Sequence, residues 1–153
     1  CEQGKFIEYR QVLVVDKAGT TAIYSGPNSL GIWTQAQGAD VASGGNMLAN
    51  DRVPQAMVDS FLASSGHLGD RLISAMRAGL AAGGEAGPLH SAGILLVDSV
   101  AWPVAELRCD WTDNCPIENI ATAWEVYKPQ LAAYVQRAID PRDAPSYGVP
   151  GDQ

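Results

Sequence analysis

The sequence predicts an α/β sandwich of the broad α+β class, with sheets covered by helices. Three observations predict it. β-Branched runs bounded by turn residues come first, within residues 6–24. Apolar residues at three- and four-residue spacing follow, within residues 52–82. Strand-like and then helix-like patterns recur at residues 90–111 and 117–135. Two helices between strand pairs, and a third after them, give each sheet a helical cover.

Residues 6–16 are expected as a strand around Val12-Leu13-Val14-Val15. Lys17-Ala18-Gly19 is a turn and residues 20–24 a second strand, so the two form a hairpin. Gly26 and Pro27 break it. Residues 31–47 are glycine-rich and expected to run extended, ending in Gly44-Gly45-Asn46. The i,i+4 pairs Met57/Phe61 and Val58/Leu62 place a helix near 52–64, with Asn50 or Asp51 as its cap. Leu72, Ile73, Met76 and Leu80 mark a second helix near 69–82, which Gly83-Gly84 ends. Residues 90–98 and 104–111 read as strands. Ile117, Ile120, Trp124, Tyr127, Leu131 and Val135 trace one helical face, which Pro129 must kink or break. Residues 140–153 carry three prolines and two glycines and are expected as an extended tail. Residues 1–139 then form the body of one domain.

A chain of 153 residues with 46% hydrophobic content can bury a core of its own. The net charge is −7, and the ten Lys and Arg are scattered. No basic stripe exists to displace counterions, which argues against nucleic-acid binding and against anionic membrane surfaces. The best apolar run, residues 92–97, is strand-sized, far below the roughly 20 residues that span a bilayer. No export signal is visible, so the expected location is the cytoplasm.

The sequence opens on Cys1 rather than methionine, and the expectation is a start created by processing. An N-terminal cysteine joins a thiol of unperturbed pKa about 8.5 to an α-amine of about 7.7–8.0. The amine can take the thiol proton without a histidine partner. The thiolate would attack an amide carbonyl, and the amine would return the proton to the leaving nitrogen. Asn46, after two glycines that permit close approach, is the candidate oxyanion donor. Attack on the preceding peptide carbonyl would also explain the cut. Two other origins stay open: a lipid-carrying cysteine, or a boundary unrelated to chemistry.

Several segments taken in order resemble a known family. They are Tyr9-Arg10-Gln11-Val12-Leu13-Val14-Val15-Asp16, Ala22-Ile23-Tyr24-Ser25-Gly26, Gly45-Asn46-Met47-Leu48, Gly87-Pro88-Leu89-His90-Ser91-Ala92-Gly93, and the closing Ala144-Pro145-Ser146-Tyr147-Gly148-Val149-Pro150-Gly151-Asp152. Together they resemble domain-of-unknown-function family 1028 of the N-terminal-nucleophile (Ntn) hydrolase superfamily. The resemblance implies an αββα sandwich and amide-bond chemistry without metal or organic cofactor. It also implies a further N-terminal portion with another hairpin and two helices. This chain would then be the β half of a self-cleaved precursor, completed by an α chain and repeated in a larger oligomer. The alternative is a non-catalytic binding or assembly subunit, with the active site on the other chain.

Other residues carry weaker signals. Arg10 could bind a substrate carboxylate or form a salt bridge to the other half. His90 could act as acid, base or substrate contact, though a hydrogen-bonded structural role is favoured. Asp110 and Asp113 could orient the Cys1 amine or a substrate, with a solvated turn as the plainer reading. Cys109 and Cys115 could close a small disulfide loop or bind a metal, though zinc lacks a second pair, and reduced structural thiols are the favoured reading. Trp33, Trp102, Trp111 and Trp124 are expected in the core or at an interface.

Overall fold

A computed structural model describes residues 4–146 and 148 of the chain. The expected strand at residues 6–16 begins later than its pattern suggests. Ile7–Tyr9 is a 3-10 turn entered through Phe6 at φ 60°, and strand β1 is Gln11–Val15. It pairs antiparallel with β2, Thr21–Ser25, in the register Gln11 to Ser25 and Val15 to Thr21. Asp16 closes this hairpin. Its Oδ1 accepts the backbone N–H groups of Ala18 and Thr20 at 2.8 and 2.9 Å, and those bonds hold its carboxyl below the ordinary value.

The glycine-rich stretch corrects the expectation more substantially. It is a second hairpin, β3 (Ile32–Gly38) with β4 (Val41–Leu48), rather than one extended segment. Ala39-Asp40 is a weak turn signal, but Asp40 adopts φ 63°, and its N–H is held by the Gly19 carbonyl of the first hairpin at 3.2 Å. Tertiary contact thus supplies what the local sequence lacks. The first hairpin lies against the second. The Leu13 side chain packs over Gly44, and Gln11 Nε2 donates to the Gly45 carbonyl at 3.2 Å.

Helix α1, Val53–Ala63, covers the second hairpin and buries Val58 and Phe61, while Leu62 stays half exposed. Asn50 does not cap it in the expected way. The N-cap position is Arg52, whose N–H is accepted by Asn50 Oδ1 at 3.0 Å, and Asn50 Nδ2 reaches the Ala82 carbonyl at 2.8 Å. Helix α2, Leu68–Ala81, is capped by His67, whose Nδ1 accepts the Gly69 N–H. Arg71 ties the two helices together, donating to the Phe61 carbonyl and lying 3.8 Å from the Phe61 ring centroid.

The third hairpin joins β5 (Ala92–Leu96) to β6 (Ala105–Cys109). Helix α3, Pro116–Tyr127, packs on it. Lys128–Gln130 is a 3-10 turn, and α4 is Leu131–Ile139, so Pro129 does break the helical face. Pro141–Asp143 forms a further 3-10 turn at the start of the expected tail, much of which lies outside the described residues. Among the described residues the strands form three two-stranded antiparallel sheets, a mixed α+β architecture with four α-helices. None of these helices is long and apolar enough to cross a membrane.

The densest core lies between α2, α3 and the third hairpin: Ile73, Ile94, Leu96, Val104, Ala105, Ile120, Ala121 and Trp124. Trp124 is fully buried, and a Cβ at Gly69 would stand 2.4 Å from its ring. Only glycine lets α2 approach that closely. Asp70 Oδ1 accepts the Trp124 indole N–H at 2.8 Å, and Oδ2 accepts Lys128 Nζ at 2.7 Å. Truncating a buried Trp typically costs about 3–5 kcal/mol.

The Lys128 bond, then the Trp124 bond, lowers the Asp70 pKa below its ordinary 3.8. The folded state therefore binds the proton less readily than the unfolded chain. The resulting stability is present above pH 3.8 and is lost as pH falls through the folded value. Asp70→Asn keeps an acceptor for Trp124 but removes the charge. Urea midpoints should show wild type ahead of Asp70→Asn at pH 7, with the gap closing in acid. A gap of equal size at pH 7 and in strong acid would show that charge plays no part.

Candidate functional site

The second hairpin carries a defect. Ile32 pairs with Leu48, and Thr34 with Gly45, so Asn46 and Met47 stand opposite the single residue Trp33. This is a β-bulge, which twists a strand and redirects a side chain. Met47 adopts φ 55°, a left-handed conformation that costs a non-glycine residue roughly 1–2 kcal/mol. Its neighbours hold it there. The Met47 N–H donates to the Leu30 carbonyl at 2.9 Å, and the Met47 carbonyl accepts the Ala86 N–H at 2.8 Å. Gly31 has φ 66°, and a Cβ there would lie 3.0 Å from Met47 Cα. Strain of this kind concentrates at binding and catalytic sites.

The bulge presents Asn46 to a concavity of about 480 Å³, within the range of small-molecule sites. Tyr9, Arg10 and Gln11 form one wall, from the 3-10 turn into β1. Asn28, Ser29 and Leu30 form another, from the loop between the hairpins. Two sequence candidates thus meet here, Arg10 and Asn46, from different hairpins. Some lining groups are already committed. Gln11 Nε2 donates to Ser25 Oγ as well as to Gly45, and Ser29 Oγ donates to the Gly26 carbonyl. The side chains of Arg10, Asn28 and Asn46 make no hydrogen bond or ion pair among the described residues. No described Asp, Glu, His or Cys lines the concavity.

Asn28, Ser29 and Leu30 were missed as site residues. The available signal was the Gly26-Pro27 break, which marks a loop, and loops carry much of binding chemistry.

The remaining candidates lie elsewhere. His90 Nδ1 is 2.8 Å from the Thr112 carbonyl, and the Thr112 N–H donates back to the His90 carbonyl. Its ring stacks on Trp111 with centroids 4.0 Å apart, and Asp113 stands 3.8 Å away. With Nδ1 donating to the carbonyl, the His90 ring clasps the ends of β5 and β6 together. Asp110 is held by the Arg108 guanidinium. None of these three residues lines the Arg10–Asn46 concavity. Cys109 and Cys115 are free, half-buried thiols. Of the four tryptophans only Trp124 is in the core, while Trp111 is 71% exposed. Cys1 lies outside the described residues.

Other concavities offer less chemistry. A groove between α2 and α3 holds Asp70, Arg77 and Glu118, but Arg77 and Glu118 bind each other at 2.6 Å and Asp70 is taken by Trp124 and Lys128. A cleft along Met57, Met76 and Leu80 is almost wholly apolar.

Comparison with known proteins adds a family relationship. A family model described as "Family of unknown function (DUF1028)" matches residues 1–120. The chain is similar to the crystal structure of protein SPO2555 from Silicibacter pomeroyi, itself assigned to the DUF1028 model. The two share 28% identity at a TM-score of 0.73, over 83% of this chain and 56% of that one. The chain therefore spans little more than half the length of that relative. No curated protein matches it.

The bulge and its glycine support make a direct test. Gly31→Ala forces a Cβ into a positive-φ position against Met47 and should cost at least ~1–2 kcal/mol by urea unfolding. Gly44→Ala, where a Cβ would make ordinary contact at 3.4 Å with Leu13, should change stability by less than about 1 kcal/mol. Equal losses would remove the argument that backbone conformation at Gly31 supports the bulge.

Proposed function

The chain belongs to the DUF1028 family, and on that footing we propose that it supplies one wall of the active site of an Ntn-type amide hydrolase. In this reading Cys1 is the nucleophile and Asn46 the oxyanion donor. The observation that carries the reading is the strained bulge that turns an unpaired Asn46 amide toward the concavity it shares with Arg10.

The chemistry runs as follows. The Cys1 amine takes the thiol proton, and the thiolate adds to the amide carbonyl carbon. The carbonyl oxygen gains negative charge, which Asn46 Nδ2 and nearby backbone N–H groups stabilise. The C–N bond breaks as the ammonium protonates the leaving nitrogen. Water then hydrolyses the thioester by the same proton route. No described Asp, Glu, His or Cys lines the concavity and Ser29 Oγ is committed to the Gly26 carbonyl, so in this reading Cys1 brings both nucleophile and base.

Two observations support a partner that completes an αββα sandwich, an α chain cut from the same precursor. The apolar residues of β1, from Val12 to Val15, are 39–51% exposed, which is unusual for a run of that composition. The solved relative is also far longer than this chain. Assembly of such units into a larger oligomer belongs to the same proposal. A binding-only subunit is the second reading, and it is favoured by a described lining of amides, hydroxyls and a guanidinium without carboxylate, imidazole or thiol.

The test uses the protein with any partner chain it carries. N-terminal labelling should find a free amine on Cys1, and an amide-directed electrophile should add its mass there. Cys1→Ala should abolish turnover across a panel of small linear and cyclic amides. Asn46→Ala should lower kcat roughly 10²–10³-fold. Full turnover by Cys1→Ala would discard the nucleophile and leave the binding reading.

A further inference from the structure

We propose that this concavity recognises substrates through a carboxylate, with Arg10 as the residue that binds it. The substrate class is then a small amide carrying a carboxylate near the scissile bond, of the N-acyl amino acid type. The inference rests on the proposed reading of the concavity as a substrate site, but not on which residue attacks.

The chain is acidic, with 17 Asp and Glu against ten Lys and Arg. In such a protein a guanidinium readily finds a partner within the fold. Arg77 pairs with Glu118, Arg108 with Asp110, and Arg142 with Asp140. Arg71 bonds the Phe61 carbonyl and Arg137 the Pro145 carbonyl. The Arg52 side chain has no such partner among the described residues, and neither does Arg10. The Arg10 guanidinium makes no such bond among the described residues, although it lines a concavity with room for a small ligand. An unpaired arginine there is a planar fork of donors that matches a carboxylate in two parallel hydrogen bonds.

The surroundings strengthen the match. No described carboxylate lines the concavity, so no described side chain within it competes for Arg10 or repels an anion. Asn28 and Asn46 add two carboxamides without intramolecular partners, each able to donate and accept. Gln11 keeps its Oε1 free because only its nitrogen is engaged. One charged fork with flanking amides is complementary to a carboxylate joined to an amide. The 3-10 turn at Ile7–Tyr9 and the Gly26 N–H, which donates to the Arg10 carbonyl at 2.8 Å, hold the Arg10 backbone in place.

The probes are N-acetylglycine and its neutral analogue N-acetylglycinamide, titrated calorimetrically into the protein with any partner chain present. Wild type should bind N-acetylglycine about 10-fold or more tightly than the neutral analogue, as charged hydrogen bonds of this kind allow. Added salt should shrink the difference. Arg10→Gln should erase the preference and Arg10→Lys should restore part of it, while Asn46→Ala should weaken both probes without removing the preference. Equal binding of the two probes by wild type, binding of neither, or an unchanged preference in Arg10→Gln would overturn the proposal. So would loss of a partner chain from Arg10→Gln in size-exclusion chromatography, because Arg10 would then be an interface residue. The outcomes separate the two readings. Carboxylate preference without turnover of any amide sinks the hydrolase and leaves this site. Turnover lost in Cys1→Ala without carboxylate preference sinks this site and leaves the hydrolase.

Discussion

The burial of Trp124 is the constraint on which the larger part of this structure depends. A fully enclosed indole needs both a cavity and a partner for its N–H, because an unpaired donor in the interior costs about 1–3 kcal/mol. Gly69 supplies the space and Asp70 the acceptor, from adjacent positions in the first turn of α2. The bond therefore fixes both the distance and the rotation between α2 and α3. Asp70 also receives Lys128, which follows α3, and Tyr127 reaches the Val104 carbonyl at 2.8 Å before β6. One aromatic side chain thus aligns two helices and the third hairpin. Its other neighbour, the His67 ring at 4.9 Å, caps the helix that presents Gly69.

The candidate site lies in the other part of the molecule and follows different physics. There, two hairpins meet through backbone and small residues: Gly19 to Asp40, Leu13 over Gly44, Gln11 to Gly45. Few large side chains separate them, so loop and bulge geometry shapes the surface directly. The left-handed Met47 is sustained by bonds to Leu30 and Ala86, and the stability spent on it places the neighbouring Asn46 beside Arg10. A rigid, slightly strained frame carrying uncommitted polar groups suits recognition better than it suits core packing.

Charge distribution joins the two parts. Six of the ten cations of this acidic chain bond to internal partners, four in ion pairs and two through backbone carbonyls. The concavity differs because its lining pairs an uncommitted guanidinium with amides and excludes described carboxylates. A negatively charged protein thereby keeps a locally cationic recess. This bears on small anions rather than on nucleic acid, for which a single arginine is far too few phosphate contacts.

Much was determined by the sequence alone. Apolar spacing located α1, α2 and the single face that α3 and α4 share, with Pro129 marked as a kink or break, because side-chain burial has a period that the chain must repeat. Apolar and β-branched runs located the first hairpin and the two separate strands that pair as the third. Asn46 stood out by its two preceding glycines, and Arg10 by its place before an apolar strand. The tertiary structure alone decided the second hairpin, the 3-10 turn before β1, and the meeting of Arg10 with Asn46. Each of these depends on partners distant along the chain: Gly19 on Asp40, Leu30 and Ala86 on Met47. A local pattern records which face a residue buries, but a bulge, a positive φ or a shared concavity is set by what packs against it from elsewhere.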